Sequence, residues 1–253
     1  MELFRKDGSG TPIVFVSGLF AGNWIWEDTI SYISKTEYSI IQQLDPLSAY
    51  GGKISDLREK LLGFFNDSID SKAVIVGNSL GGLLAMELAS LIPEKVAAIV
   101  ASGAPGMGSI NLGIGPPKKG SKEESKEWFR NLSEQLFVDQ NCVNDKQLEL
   151  LSEFFSNRRS FINMVRLAKE ADRYDAKLLL PKIECPTLML WGDQDKVSPI
   201  EPWEKSLTLN PQIQLQVIEN SGHSPMMEKP KEFWHSVDRF LNNIQVPNMQ
   251  LIP

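Results

Sequence analysis

Apolar residues along this chain recur in two patterns. Short continuous runs rich in β-branched residues read as strands: Thr11–Ser17, Ser39–Leu44, Ala73–Val76, Val96–Ala101, Thr187–Trp191 and Ile213–Ile218. The run TPIVFVS at Thr11–Ser17 suits a strand buried on both faces. Between the runs lie segments with apolar residues every three or four positions. Lys53–Asn66 carries Ile54, Leu57, Leu61, Leu62 and Phe65 on one stripe, and Lys231–Asn243 carries Phe233, Trp234, Val237, Phe240 and Leu241. Trp24–Ser34, Leu80–Ile92 and Glu201–Thr208 read as further helices. A short strand within Met1–Lys6 precedes a turn at Asp7-Gly8-Ser9-Gly10. Strands alternating with helices imply right-handed crossovers and a mostly parallel sheet. The expectation is an α/β fold with about seven strands flanked by helices.

Residues 105–181 break the rhythm. A Gly/Pro-rich loop, PGMGSINLGIGPPKKG, is followed by helical patterns at Lys122–Leu136, Asp145–Ser156, Phe161–Glu170 and Asp172–Leu180, with no strand candidate. An all-helical insert between two parallel strands reads as a lid over the end of the sheet where those loops emerge. The expected organisation is a core of residues 1–104 and 182–253 with a helical cap at 105–181.

Composition narrows the function. With 253 residues, 42% hydrophobic and 23% charged, the chain can bury one large core. Its net charge of −6, from 26 basic and 32 acidic residues, argues against nucleic acid as the main partner. Cys142 and Cys185 are far apart, fit no metal spacing and read as buried or semi-buried thiols in a reducing compartment. No segment approaches the roughly 20 apolar residues of a membrane helix, and no signal-peptide run opens the chain. The expectation is a cytoplasmic monomer or homodimer acting on a small molecule, with no metal or organic cofactor.

The strongest local signal is Gly77-Asn78-Ser79-Leu80-Gly81, a G-x-S-x-G between a strand and a helix. There Ser79 sits on a sharp turn, Gly77 and Gly81 remove side chains that would collide across it, and the helix aims its N-terminal N–H groups at the site. A serine hydroxyl needs a base. The chain has two histidines. His235 lies inside the last helix, off its buried stripe, and should face solvent. His223 lies in Asn220-Ser221-Gly222-His223-Ser224-Pro225, directly after the last strand, at the sheet end where Ser79 projects. The base needs a carboxylate to orient it. Asp193 and Asp195 compete in the loop after Thr187–Trp191; Asp193 could cap the turn, whereas Asp195 lies further out.

These residues resemble the α/β-hydrolase fold superfamily, in its branch with a helical cap. The resemblance spans nearly the whole chain and rests on the elbow at Ser79, the acid loop Pro186–Asp195 and the base loop Gly222-His223, in the order serine, aspartate, histidine. It implies that Asp195 is the triad acid. It also implies an oxyanion hole from two backbone N–H groups, those of Leu80 and of Leu19 in Val16-Ser17-Gly18-Leu19-Phe20-Ala21-Gly22. Ser17 stands where the family usually has histidine, so the side chain that braces this loop is expected to be absent, and Phe20 neighbours the donor.

The expected activity is hydrolysis of an ester or thioester of a mainly apolar, small-to-medium substrate through an acyl-enzyme. Phe20, Trp24, Asn78, Met107, Ile110, Leu112, Met164 and Met226, with Leu19, Ile114, Phe137 and Met227, are the candidate pocket lining. No cluster of Arg or Lys along the chain marks a bound phosphate or carboxylate, and Lys118-Lys119 reads as a solvated pair. Asn78 and the Ser102–Gly108 stretch also resemble the carbon–carbon bond hydrolases of aromatic degradation, although Ser224 stands where those carry an aromatic residue after the histidine. The same residues on this fold would also suit acyl transfer, cyclisation or the slow turnover of a ligand sensor.

Overall fold

A computed structural model describes residues 4–113 and 122–244. Its sheet has seven strands: β1 Phe4–Asp7, β2 Thr11–Val16, β3 Tyr38–Gln43, β4 Ala73–Asn78, β5 Val96–Ser102, β6 Thr187–Gly192 and β7 Ile213–Ile218. Their order is β1-β3-β2-β4-β5-β6-β7. Only β1 runs antiparallel, against β3; the other pairings are parallel. The seven-stranded, mostly parallel sheet matches the expectation. Met1–Leu3, Ile114 and the Lys118-Lys119 pair lie outside the described residues.

The central strands are apolar on both sides because both sides are covered. Val14, Val16, Ile41 and Ile75 join the core beneath α2 (Ile54–Ser68) and α3 (Leu80–Leu91). Ile13, Phe15, Ile40, Val74 and Val76 join a second core with Trp26 and with Phe233, Val237 and Phe240 of α9 (Pro230–Asn243). Between β5 and β6 the chain forms α4 (Lys122–Leu136), α5 (Asp145–Ser156) and α6 (Arg158–Asp172). Asn144 and Gln147 make a capping box on α5, and the Asn157 side chain accepts the Arg159 and Ser160 N–H groups at the start of α6.

Three segments differ from the sequence expectation. Trp24–Ser34 is not one helix but a 3-10 turn at Asn23–Trp26 followed by a single turn, α1 (Glu27–Ile30). Burying Ile25 and Trp26, and bonding the Thr29 hydroxyl to the Met226 carbonyl at 2.8 Å, outweighs helical continuity there. Asp172–Leu180 is not a further α-helix; Asp172 ends α6, and the chain then makes 3-10 turns at Ala176–Leu178 and Leu180–Lys182. Here the Ala176 N–H donates to the Gly106 carbonyl at 2.9 Å, and Pro181 has no N–H to give. Beyond β6, α7 (Glu201–Ser206) precedes β7, and a short helix, α8 (Pro225–Glu228), follows the last strand unanticipated.

Two glycines separate packing from propensity. A Cβ on Gly81 would lie 2.2 Å from the Val16 carbonyl oxygen, whereas one on Gly63, inside α2, would meet nothing within 4 Å. Gly81→Ala should therefore cost about 1–3 kcal/mol or more by forcing α3 off β2. Gly63→Ala should add about 0.5–1 kcal/mol of helix stability. Thermal unfolding checks both, at roughly 2–4 °C per kcal/mol for a chain this size. Equal midpoints for the two variants would contradict this packing.

Candidate active site

Ser79 links β4 to α3 with φ 53° and ψ −124°, a left-handed conformation rare outside glycine. The surroundings hold it there. The Ser79 N–H donates to the Ser102 carbonyl at 2.7 Å, and the Ser79 carbonyl accepts from Gly82 and Leu83. A Cβ on Gly77 would lie 2.3 Å from the Gly81 carbonyl oxygen, and one on Gly18 would lie 3.1 Å from Ser79 Cβ. The turn thus closes only with glycine at position 77, and position 18 leaves a side chain little room. The Leu80 N–H falls in the first turn of α3, where helical N–H groups lack intrahelical acceptors.

His223 and Asp195 meet at the same end of the sheet. Nδ1 of His223 lies 3.0 and 2.9 Å from Oδ1 and Oδ2 of Asp195. Asp195 Oδ1 also accepts the Val197 and Ser198 N–H groups, each at 2.9 Å. Both side chains are buried, so the carboxylate is held by donors rather than by solvent. An Nδ1–H directed at Asp195 leaves Nε2 as the acceptor. Asp193, exposed, instead accepts the Ser221 N–H at 3.1 Å and braces the histidine loop from outside. His235 is exposed on α9. Among the described residues no hydrogen bond joins Ser79 Oγ to His223; such bonds often tighten only with substrate present.

The backbone of the histidine loop is tied on three sides. Asn78 Nδ2 donates to the His223 carbonyl at 3.0 Å. The His223 N–H donates to the Leu136 carbonyl, at the end of α4, at 2.7 Å. The Glu228 carboxylate accepts the Gly222 N–H at 2.6 Å and the Val138 and Asp139 N–H groups at 2.7 and 3.0 Å. Gly103, at φ 60°, packs against the imidazole, and a Cβ there would lie 2.8 Å from the ring. The helical insert also grips α3: Tyr174 Oη donates to Oε1 of buried Glu87 at 2.7 Å, and burial raises the pKa of that carboxyl.

The loop after β2 does have a brace, contrary to expectation. Ser17 Oγ donates to the Gly22 carbonyl at 2.9 Å and accepts from Trp26 Nε1 at 3.1 Å. The Ser17 N–H donates to Gln43 Oε1 at 3.3 Å. The small Ser17 hydroxyl, bonded to Gly22 and Trp26, braces the loop in place of a larger side chain. The sequence could not show this, because Trp26 and Gln43 come near only in the folded chain.

Ser79, His223, Leu19, Leu80 and Asn78 share one cavity of about 280 Å³. Phe20, Trp24, Ile110, Leu112, Phe137 and Met227 line it. Met107, Met164 and Met226 do not. Met164 is buried in the first core and Met226 in the second, on the far side of the sheet, while Met107 packs half-buried against the first. Most of the far wall was not foreseen from the sequence: Phe129, Leu132 and Leu136 of α4, with Leu148 and Leu151 of α5. Their spacing of three, four and seven was visible, but it marks any buried helix face. The lining is overwhelmingly apolar, with Lys169 and Asp172 its charged members. Among the described residues no cluster of His, Cys, Asp and Glu could hold a metal ion, and no helix is long and apolar enough to cross a membrane. Burial raises the thiol pKa values of Cys142 and Cys185 to about 12 and about 11, so both are protonated at neutral pH.

Removing the Glu228 carboxylate should release the joint between the insert and the histidine loop. In Glu228→Ala the amides of Val138, Asp139 and Gly222 lose their acceptor. Their hydrogen-exchange protection should fall at least tenfold, which corresponds to about 1.4 kcal/mol per opening. Unchanged protection at all three would show that the carboxylate does not hold the joint.

Comparison with known proteins agrees with this architecture. Residues 13–235 match the model of the Alpha/beta hydrolase family. A 2-hydroxy-6-oxononadienedioate/2-hydroxy-6-oxononatrienedioate hydrolase of Cupriavidus pinatubonensis is 28% identical over 210 residues, covering 79% of this chain and 72% of that protein. The structure of an α/β-hydrolase enzyme, MGS-MChE2, from a lagoon-sediment metagenome is 26% identical, with TM-score 0.71 over 95% of this chain and 94% of that one. A structure of the meta-cleavage product hydrolase CumD of Pseudomonas fluorescens IP01 is 25% identical, with TM-score 0.77 over 95% of this chain and 93% of that one. The chain belongs to the α/β-hydrolase family.

Proposed function

We propose that this hydrolase is a serine esterase or thioesterase for mainly apolar acyl groups, with Ser79 as nucleophile, His223 as base and Asp195 as the group that orients His223. The observation that carries the reading is the opening of the strained Ser79 turn onto the same apolar cavity as His223, whose Nδ1 is held by Asp195. Ser79 Oγ attacks the acyl carbonyl carbon while His223 Nε2 takes its proton, and Asp195 stabilises the imidazolium. The carbonyl oxygen, now negative, accepts the Leu80 and Leu19 N–H groups. The tetrahedral adduct collapses, and the alcohol or thiol leaves with the proton from His223. Water then gives its proton to His223 and attacks the acyl-enzyme, releasing the acid and restoring Ser79. Residues 105–181 act as a cap that supplies the far wall of the pocket and excludes water.

A second reading, hydrolysis of a carbon–carbon bond, is favoured by the relatives from Cupriavidus pinatubonensis and Pseudomonas fluorescens and by Asn78 in the elbow. Lys169 as the one Lys or Arg lining the cavity among the described residues, and Ser224 after His223, favour the ester reading.

A p-nitrophenyl ester series from acetate to decanoate tests the choice. Wild type should turn over the series with an optimum at intermediate length, and Ser79→Ala and His223→Ala should each lose about 10³-fold or more in kcat. Inactivity of wild type on every ester, with turnover of a 2-hydroxy-6-oxodienoate, would replace the first reading by the second.

A further inference from the structure

Chain order hides a cationic cluster that folding assembles. Away from the cavity, the loop before α2, the first half of α2 and the first half of α6 enclose a groove of about 930 Å³. Lys53 and Lys60 line one side; Arg158, Arg159 and Arg166 line the other. These residues are about a hundred positions apart in sequence, which is why no Arg/Lys cluster was evident along the chain. The groove also contains the exposed carboxylates of Asp56 and Glu59. Asp56 Oδ2 accepts the Gly52 N–H at 3.4 Å, and Glu59 pairs with Arg58 at 3.5 Å. None of the five cations is in an ion pair among the described residues. Five cations face two carboxylates in one groove, a local excess of positive charge on a chain of net charge −6.

The floor is built for close approach. A Cβ on Gly52 would lie 2.5 Å from Asn163 Oδ1, so a larger residue there would have to displace the Asn163 side chain. Asn163 is buried and donates from Nδ2 to the Ser48 carbonyl at 2.9 Å, which fixes α6 against the core. The helix ends are already served by the protein: Glu170 accepts the Ile54 N–H at 2.7 Å, and Asn157 caps α6. Recognition therefore falls to the side chains. Lys53 and Lys60 are seven residues apart, as are Arg159 and Arg166, so each wall carries positive charge along about 10 Å. A single phosphate cannot reach both ends.

We propose that this groove is a binding site for a soluble, elongated ligand carrying two or more phosphate groups, gripped between α2 of the core and α6 of the insert. Guanidinium forks suit phosphate oxygens, and the lysines add point charges. An anionic membrane surface is disfavoured by the chain's net charge of −6. Bound there, the ligand would fasten the insert to the core, since α6 also lines the Ser79 cavity through Ala168 and Ala171.

Calorimetric titration with inorganic tripolyphosphate and with orthophosphate, at low ionic strength, tests the site. Tripolyphosphate should bind one per chain, at least tenfold tighter than orthophosphate, and more weakly as salt rises. The Arg159→Gln/Arg166→Gln variant should bind it at least tenfold more weakly while unfolding at the wild-type temperature, because neither side chain has an ion-pair partner to lose. Lys177→Gln/Lys182→Gln, outside the groove, should bind like wild type. Absence of binding, equal affinity for the two anions, or undiminished binding by the arginine variant would overturn the proposal. So would sedimentation with phosphatidylglycerol vesicles without affinity for tripolyphosphate, which would assign the cluster to a lipid surface.

Discussion

The arrangement depends on backbones brought closer than side chains would allow at the carboxyl end of β4. Gly81 lies against the β2 carbonyls, Gly77 against Gly81, and Gly18 against Ser79. With those crossings closed, Ser79 has no ordinary conformation available and is held at positive φ. Such a conformation costs on the order of 1–3 kcal/mol and persists only where the surroundings over-determine it. Here they do, through the bonds of Ser79 to Ser102, Gly82 and Leu83 and through a sheet that is apolar on both faces. The same closure brings the loop after β2, the start of α3 and the loop after β7 to one cavity.

The second requirement is a histidine held still. Asp195 fixes one ring nitrogen, Gly103 packs against the ring, and the backbone on either side is tied to Asn78, Leu136 and Glu228. Two of those ties reach the helical insert rather than the sheet. The position of His223 is therefore coupled to the position of the insert, whose apolar faces also make the far wall of the cavity. In this account the binding of an apolar acyl group against α4 and α5 and the placement of His223 are one mechanical event.

Much of this could be read from the sequence because its signals are local. A β-branched run flanked by turn residues fixes a strand; G-x-S-x-G between a strand and a helix fixes the elbow; two histidines leave few candidates for a base. What escaped was set by distant partners. Ser17 looked like a lost brace until Trp26 and Gln43 were seen beside it. Met164 and Met226 are as apolar as Leu112, but the burial of their own elements turns them into the cores. The segment after α6 has helical periodicity, yet a single bond from Ala176 to Gly106 and a proline redirect it. The cationic groove joins residues from two different crossovers, β3 to β4 and β5 to β6, and no window along the chain contains both.

The central claim is that Ser79 is activated by His223 and that no other serine or cysteine does this work. It is tested most directly by stoichiometric labelling with a p-nitrophenyl phosphonate, followed by intact mass and peptide mapping. The account predicts one adduct per chain, located on Ser79, with a labelling rate at least a hundredfold slower in His223→Ala. An adduct on another residue, or a rate indifferent to His223, would contradict it.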